Sequence, residues 1–306
     1  MKIKLFFLAL LLSMCSNTVE EVTNLKIISL STTHTEIIKS IGAANTLVGI
    51  DSFSEVSFPV EVIDSYTVTA DELKALDPDL VILAFDFNGI VEGLKNQEIN
   101  YLLLPPARTL EDVYSQIETI GVIVNKKNEA VAKTRDMKLS INRIIDNSNF
   151  EDISVYHEIG YSYGIYSVNS NSLIGEIYNL LGVENIANSK VDTFGSGYPE
   201  LTEESILKAN PDYIVVGHTD YLNKDLSLRP GWENIKAIEH SNIVFLNENL
   251  ANNWGTTTVE LVETLSNSFK ESIQTNPYSN YFLLISLMFL VTMIFLLTKP
   301  SIKEKV

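Results

Sequence analysis

Apolar and polar positions along the chain form short buried runs separated by amphipathic segments, and one such unit occurs twice. Residues 71–83 read acidic head, short helix, Asp77-Pro78, then the uninterrupted apolar run Leu80-Val81-Ile82-Leu83. Residues 203–216 repeat the scheme, with Glu203-Glu204 at the head, Asn210-Pro211 at the stop and Tyr213-Ile214-Val215-Val216 as the run. A residue before proline is pushed out of helical backbone, so each helix stops there. Apolar β-rich runs without polar alternation are those of parallel strands covered on both faces. The second proline (211) follows the first (78) by 133 positions, too far for a solenoid and suited to two similar α/β lobes.

The same patterning extends the reading. Residues 26–30 predict a first strand, with Thr33 or Thr35 as cap of a helix that Gly42 ends, and 47–50 a second strand. Phe58-Pro59 opens an irregular stretch, residues 99–104 a further strand, and Thr109 a helix reaching Gly121. Residues 126–146 lack Gly and Pro and place Ala130, Met137, Ile141, Ile144 and Ile145 at helical spacing, which predicts one long helix. After it come a strand at 153–157, a helix at 172–181, the second repeat, a strand at 243–246 and a helix at 257–269. Residues 271–280 read as a polar tether.

The ends set the compartment. Met1-Lys2-Ile3-Lys4 and the apolar run 5–12 form a signal-like leader, too short for a comfortable span, that ends at Cys15. Cys15 is the sole cysteine, so no disulfide framework exists. Its place resembles the lipobox of bacterial lipoproteins, though Met14 departs from the small residue preferred there; a plain or uncleaved signal is the alternative. Residues 281–297 are apolar apart from Ser286 and Thr292, and about 20 residues suffice to cross a bilayer. Tyr278 and Tyr281 stand at one end and Lys299, Lys303 and Lys305 at the other. The positive-inside rule leaves the tail cytoplasmic and the body outside the membrane. The expected organisation is a leader at 1–15, an N-terminal lobe at 24–125, a connecting helix at 126–148, a C-terminal lobe at 151–270 and a transmembrane helix at 278–298.

Composition narrows the chemistry. A net charge of −17 argues against a phosphate-backbone partner, so no nucleic acid is expected. Gly195-Ser196-Gly197 lacks the rest of a phosphate loop, no Gly-x-Ser-x-Gly occurs, and Cys15 falls in the leader, so no enzyme motif and no catalytic residue is expected. The four histidines are too scattered for a zinc site, and no metal site is expected.

In order along the chain, residues 27–36, Leu47-Val48-Gly49-Ile50-Asp51, Asp77-Pro78-Asp79, residues 181–186, Gly197-Tyr198-Pro199 and Arg229-Pro230-Gly231-Trp232 resemble the substrate-binding proteins of ABC importers for vitamin B12, ferric siderophores and haem. The resemblance covers roughly residues 26–269. It implies two Rossmann-like α/β lobes joined by one long helix, with small closure motions. It also implies a ligand that is an iron chelate, corrinoid or haem, no cofactor, and an ABC permease with its ATPase as partners.

Open α/β sheets place ligands at the carboxyl ends of strands. The candidate cleft residues are therefore His34, Phe53, Phe85, Phe87, His157, Glu158, Tyr161, Tyr163, Tyr198, Asn253 and Trp254, whose aromatic members suit a flat or macrocyclic ligand. Trp232 reads as packing, and His218 and His240 as surface residues. The family's Arg-x-Gly-Pro-Arg run is replaced by Asn253-Trp254-Gly255-Thr256-Thr257, which favours a neutral or cationic ligand over one rich in carboxylates. Asp71 and Glu204, one on each repeated helix, match the family's permease-docking acids. A membrane-tethered sensor or surface-binding protein would use the same lobes without transport.

Overall fold

The computed structural model describes residues 25–193, 195–218 and 225–275. The first half alternates β1 (Ile27–Leu30), α1 (Thr32–Ser40), β2 (Leu47–Asp51), β3 (Glu61–Ile63), α2 (Ala70–Ala75), β4 (Leu80–Leu83), α3 (Ile90–Asn96), β5 (Tyr101–Leu103) and α4 (Leu110–Ile123). Its five strands form one parallel sheet in the order β3-β2-β1-β4-β5. Helix α5 (Lys127–Asp146) then leads into β6 (Ser154–Glu158), β7 (Ile165–Tyr166), α6 (Leu173–Leu181), β8 (Glu184–Asn185), β9 (Glu200–Leu201) and α7 (Glu203–Ala209). The chain continues through β10 (Tyr213–Val216), α8 (Lys236–Glu239), β11 (Ile243–Phe245), α9 (Glu248–Asn252) and α10 (Thr258–Thr275). A second parallel sheet has the order β11-β10-β6-β8, and β7 pairs antiparallel with β9. The architecture is the two-lobed α/β fold expected, with α5 between the lobes.

The repeat is structural. β4 and β10 are the repeated apolar runs, and each lies centrally in its sheet beside β1 or β6. Thr69 caps α2 and Thr202 caps α7, each through a capping box that satisfies the first orphan N–H groups. Both helices end as predicted but by a different backbone: Asp77 (φ 49°) and Asn210 (φ 47°) are left-handed rather than extended. Asp and Asn tolerate that region because their short polar side chains bond locally.

Other differences are local. The cap position of α1 is Ser31, which makes no side-chain cap. Thr35 instead donates to Ser29 Oγ at 2.9 Å, and Thr33 to Asn253 Oδ1 at 2.9 Å, so both threonines serve tertiary contacts. The stretch after Phe58-Pro59 contains the edge strand β3, too short and too exposed to carry a pattern. The final helix runs on through Thr275, replacing the start of the expected tether. Among the described residues no helix is long and apolar enough to cross a membrane. The leader with Cys15 and the segment 278–298 lie outside the described residues.

Helix α5 spans about 30 Å at 1.5 Å per residue and buries Ala130, Thr134, Met137 and Ile141 on one stripe. That stripe belongs to one continuous core that includes Ile37 and Ile117 from the first half and Tyr178, Leu265 and Phe269 from the second. Gly121 lets α4 pack on α5 without a gap, because a Cβ there would collide with the Ala130 side chain. The turn between the two helices closes through Lys126 N–H donating to the Gly121 carbonyl at 2.6 Å. Overpacking a filled core costs about 1–3 kcal/mol. Gly121→Ala is expected to lower the urea unfolding free energy by that amount, whereas Gly160→Ala, where a Cβ meets only the Gly164 carbonyl at 3.8 Å, should cost less. Equal loss in the two variants would show that the α4–α5 approach is not the limiting contact.

Candidate functional site

All strands of a parallel sheet end on one side, so the loops after β1, β2, β4 and β5 gather along one edge of the first sheet. The loops after β6 and β10, together with α9, gather along one edge of the second. A cleft runs between these edges as three adjoining cavities of about 770, 510 and 510 Å³. The first and second share Phe85, Asn252, Asn253 and Trp254, and the second and third share Pro106, Ala107 and Tyr198.

Trp254 is the pivot of this cleft. Its indole N–H donates to Gln116 Oε1 at 3.2 Å and its backbone N–H to Thr33 Oγ1 at 3.4 Å, while Asn253 beside it accepts from Thr33. The segment 253–255, which follows the second sheet, is thus bonded into α1 and α4 of the first lobe. Gly255 lies against Thr33 and Ile37, where a Cβ would sit within 3.3 Å of both side chains. From Trp254 a file of aromatic rings leads outward through Phe85 (6.4 Å between centroids), Phe87 (5.1 Å), Tyr66 (4.8 Å) and Phe53 (6.4 Å). Phe53 is 67% exposed, a large apolar side chain held open to solvent. Such a wall of rings offers π faces to a flat ligand.

Phe53, Phe85, Phe87, Asn253 and Trp254 therefore line the first cavity, and Tyr198 lines the second and third. Tyr66 is an aromatic wall residue that the sequence reading missed. It is carried by the turn that Asp64 makes with the Tyr66 N–H and the Thr67 hydroxyl, and Asn88 fixes its carbonyl. The Asp64-Ser65-Tyr66-Thr67 turn was the available signal.

The remaining candidates lie elsewhere. His34 is sealed beneath Trp254, edge to face at 6.2 Å, and its ring nitrogens make no hydrogen bond. Burial lowers its pKa to about 4, and neighbouring Gln116 offsets that only in part. His157 and Glu158, expected as the polar ligand contacts, are both fully buried as the last residues of β6. His157 Nδ1 shares a 2.7 Å hydrogen bond with the Tyr178 hydroxyl, and its Nε2 lies so close to Gly217 that a Cβ there would come within 2.8 Å of it. Tyr163 is 97% exposed and lines none of these cavities.

Glu158 organises a buried ionic cluster. Arg229 grips it with two N–H···O bonds of 2.6 and 2.9 Å, His218 Nε2 lies 2.9 Å from Oε1, and the Tyr156 hydroxyl donates at 3.1 Å. The Arg229 guanidinium is sandwiched over Tyr161 (3.6 Å) and Trp232 (4.4 Å). Tyr161, expected in the cleft, instead donates to Glu203 at 2.6 Å from beneath that cation. Trp232 is packing, as read. His218 corrects a surface assignment, since it is nearly buried, lines the second cavity and contacts Glu158. Burial alone would raise the Glu158 carboxyl, but the hydrogen bonds and charges of His218 and Arg229 outweigh it and hold it below the ordinary carboxylate range.

The repeated helices present their acids at the surface. Glu72 is engaged by the Thr69 backbone and hydroxyl, which lower its pKa, and Glu203 is engaged by Tyr161. Asp71, bonded to Gln97, is exposed beside an equally exposed Glu72, and Glu204 is the exposed acid of the α7 first turn.

Comparison with known proteins supplies a family. The model of the periplasmic binding protein family matches residues 27–250. An ABC transporter substrate-binding lipoprotein of Bacillus subtilis, YvrC, is 28% identical over 256 residues, 79% of each chain. A cobalamin-binding protein of Halobacterium salinarum is 29% identical over 208 residues, which are 65% of this chain and 55% of that one. Among solved structures, the periplasmic haem-binding protein HutB of Vibrio cholerae superposes with a TM-score of 0.69 at 19% identity, covering 80% of this chain and 98% of that one.

The buried histidines set a pH dependence. The folded pKa of His157 is lowered to about 3, and that of His34 to about 4, chiefly by burial, against an ordinary 6.5. The unfolded chain takes up these protons first, so their stabilisation is complete above about 6.5 and is lost as pH falls toward the folded values. The urea midpoint should therefore decline between pH 7 and 4, and more shallowly in His157→Gln. An unchanged slope in that variant would remove His157 from the account.

Proposed function

Because the chain belongs to the periplasmic binding protein family, we propose that it is the membrane-anchored, extracytoplasmic substrate-binding protein of an ABC importer. In this reading it captures a corrinoid, haem or iron chelate in the cleft and delivers it to a permease driven by its ATPase. The observation that carries the reading is the file of rings from Trp254 to Phe53 across the carboxyl ends of the first sheet, facing the second. The relatives support it, since they include a cobalamin-binding and a haem-binding protein. The buried pairing of Arg229 with Glu158 leaves that cation unavailable to the cleft, which favours a neutral or cationic ligand body. The anchor is proposed as the apolar segment 278–298, with Cys15 as a second, lipid-bearing point and the tail after Lys299 cytoplasmic. The continuous core through α5 favours small closure motions over a wide hinge.

Ligand capture is tested by titrating the full chain with cobalamin, haem and ferric hydroxamates. These absorb light, so tryptophan fluorescence should be quenched to saturation at one ligand per chain, with most of the change absent in Trp254→Phe. Trp254→Ala should weaken binding by about 2 kcal/mol, as for a truncated aromatic anchor. Failure of all three ligand classes to bind below millimolar concentration would sink the reading.

Delivery is tested separately. Asp71 and Glu204 are proposed to dock on cationic groups of the permease, one acid from each lobe. Like charges brought together across an interface cost several kcal/mol. Asp71→Lys combined with Glu204→Lys should therefore leave folding and ligand affinity nearly unchanged and abolish uptake. Uptake at the parental rate by that double variant would reject the docking assignment.

A further inference from the structure

The cleft is electrically lopsided. Its first cavity carries three carboxylates, Glu36, Asp51 and Glu55, against one ammonium, Lys39. That ammonium is already held, by Glu36 at 2.6 Å and by the Glu55 carbonyl at 2.7 Å. Asp51 is buried at the end of β2 and accepts from the Thr32 hydroxyl and the Phe53 N–H. Acids beside exposed ring faces repel an anion and accommodate a neutral or cationic body.

The third cavity, at the other end of the cleft, has the opposite character. Arg108 lines it, is exposed, and forms no ion pair among the described residues. Asp112, the one carboxylate in the cavity's lining, is turned back onto the backbone N–H groups of Arg108 and Thr109, at 3.0 Å each, and the neighbouring Glu176 and Asp192 accept from the Leu110 N–H and from the Ser196 and Gly197 N–H groups. The Tyr198 phenol and the Ser115 hydroxyl line the same cavity and make no side-chain hydrogen bond among the described residues. Its other polar lining is engaged: Gln116 donates to the Pro105 carbonyl, Ser172 to the Asn169 carbonyl and Ser196 to Asp192. A guanidinium fork with two free hydroxyls is a donor set without an internal acceptor, the chemistry that takes a phosphate oxygen pair.

We propose that Arg108, Tyr198 and Ser115 form an anion subsite for the phosphate-bearing arm of a ligand whose neutral or cationic planar body lies against the rings at the far end of the cleft. The proposal rests on the ligand reading above and narrows it to a ligand of divided charge.

Two corrinoids separate the arm from the body. Cobalamin joins its cobalt ring to a nucleotide through one phosphodiester, whereas cobinamide has the same ring without that arm. Arg108→Glu in the full chain should raise the cobalamin Kd at least tenfold and leave the cobinamide Kd within threefold, with Arg108→Lys intermediate for cobalamin. Equal weakening of both ligands, or an unchanged cobalamin Kd, would overturn the subsite. If the unaltered chain binds neither corrinoid, the corrinoid ligand class fails by itself, and the subsite is read with dimethyl phosphate. Broadening of its phosphorus resonance by the unaltered chain and not by Arg108→Glu sustains the subsite, and broadening by neither or by both overturns it.

Discussion

The whole arrangement depends on the buried stripe of α5. Ala130, Met137 and Ile141 lie in a single apolar cluster with residues of both halves, so the lobes share one core instead of meeting across a wet interface. A hydrophobic core is close-packed and transmits displacement instead of absorbing it. The relative position of the two sheet edges, and hence the width of the cleft, is then set by how α4, α5 and α10 fit together. The Thr134 hydroxyl donating to Glu118 at 2.7 Å, the Ser148–Ser266 contact at 2.9 Å and the Phe150–Phe269 ring pair lock that fit at separate points.

Within that frame the polar groups divide into those that hold the fold and those left for a ligand. Glu158 and Arg229 illustrate the first kind. A carboxylate sealed at a strand end would be costly alone, and the guanidinium with its aromatic sandwich is what makes it tolerable. Removing either partner leaves the other as an uncompensated buried charge, so the pair behaves as a structural unit. The ring file and Arg108 are the groups our proposals assign to the second kind: groups of high interaction potential exposed in the cleft.

Much of this was legible in the sequence, for identifiable reasons. The repeated stop at Asp77-Pro78 and Asn210-Pro211 marked two lobes because proline restricts its predecessor whatever the tertiary context. The uninterrupted apolar runs at β4 and β10 gave the central strands, and the absence of Gly and Pro gave α5. The cleft was readable where a side chain follows a strand directly, as with Phe53 and Phe85. It was misread at His157 and Glu158, which point to opposite faces of β6 and are both buried because this end of the strand is covered on both sides. Arg229 entered the sequence reading only within the run Arg229-Pro230-Gly231-Trp232, and its pairing across 71 positions with Glu158 leaves no local trace. Tyr66 was hidden for a different reason: the strand before it, β3, is too short and too exposed to be read from the pattern.

The clamp at Trp254 has an evolutionary corollary. A wall of the first lobe's cavity is built from residues 253–255, read more than a hundred positions after that lobe's last strand, and is fastened there by Thr33 and Gln116. Two halves exchanged between relatives would meet at a foreign Asn-Trp-Gly clamp even if α5 were spliced without a seam. The two repeats resemble each other, but the molecule they belong to is not modular. Specificity in such a chain has to drift by substitution within the cleft, because inheritance by shuffling would bring the ring wall and its fastening from different parents.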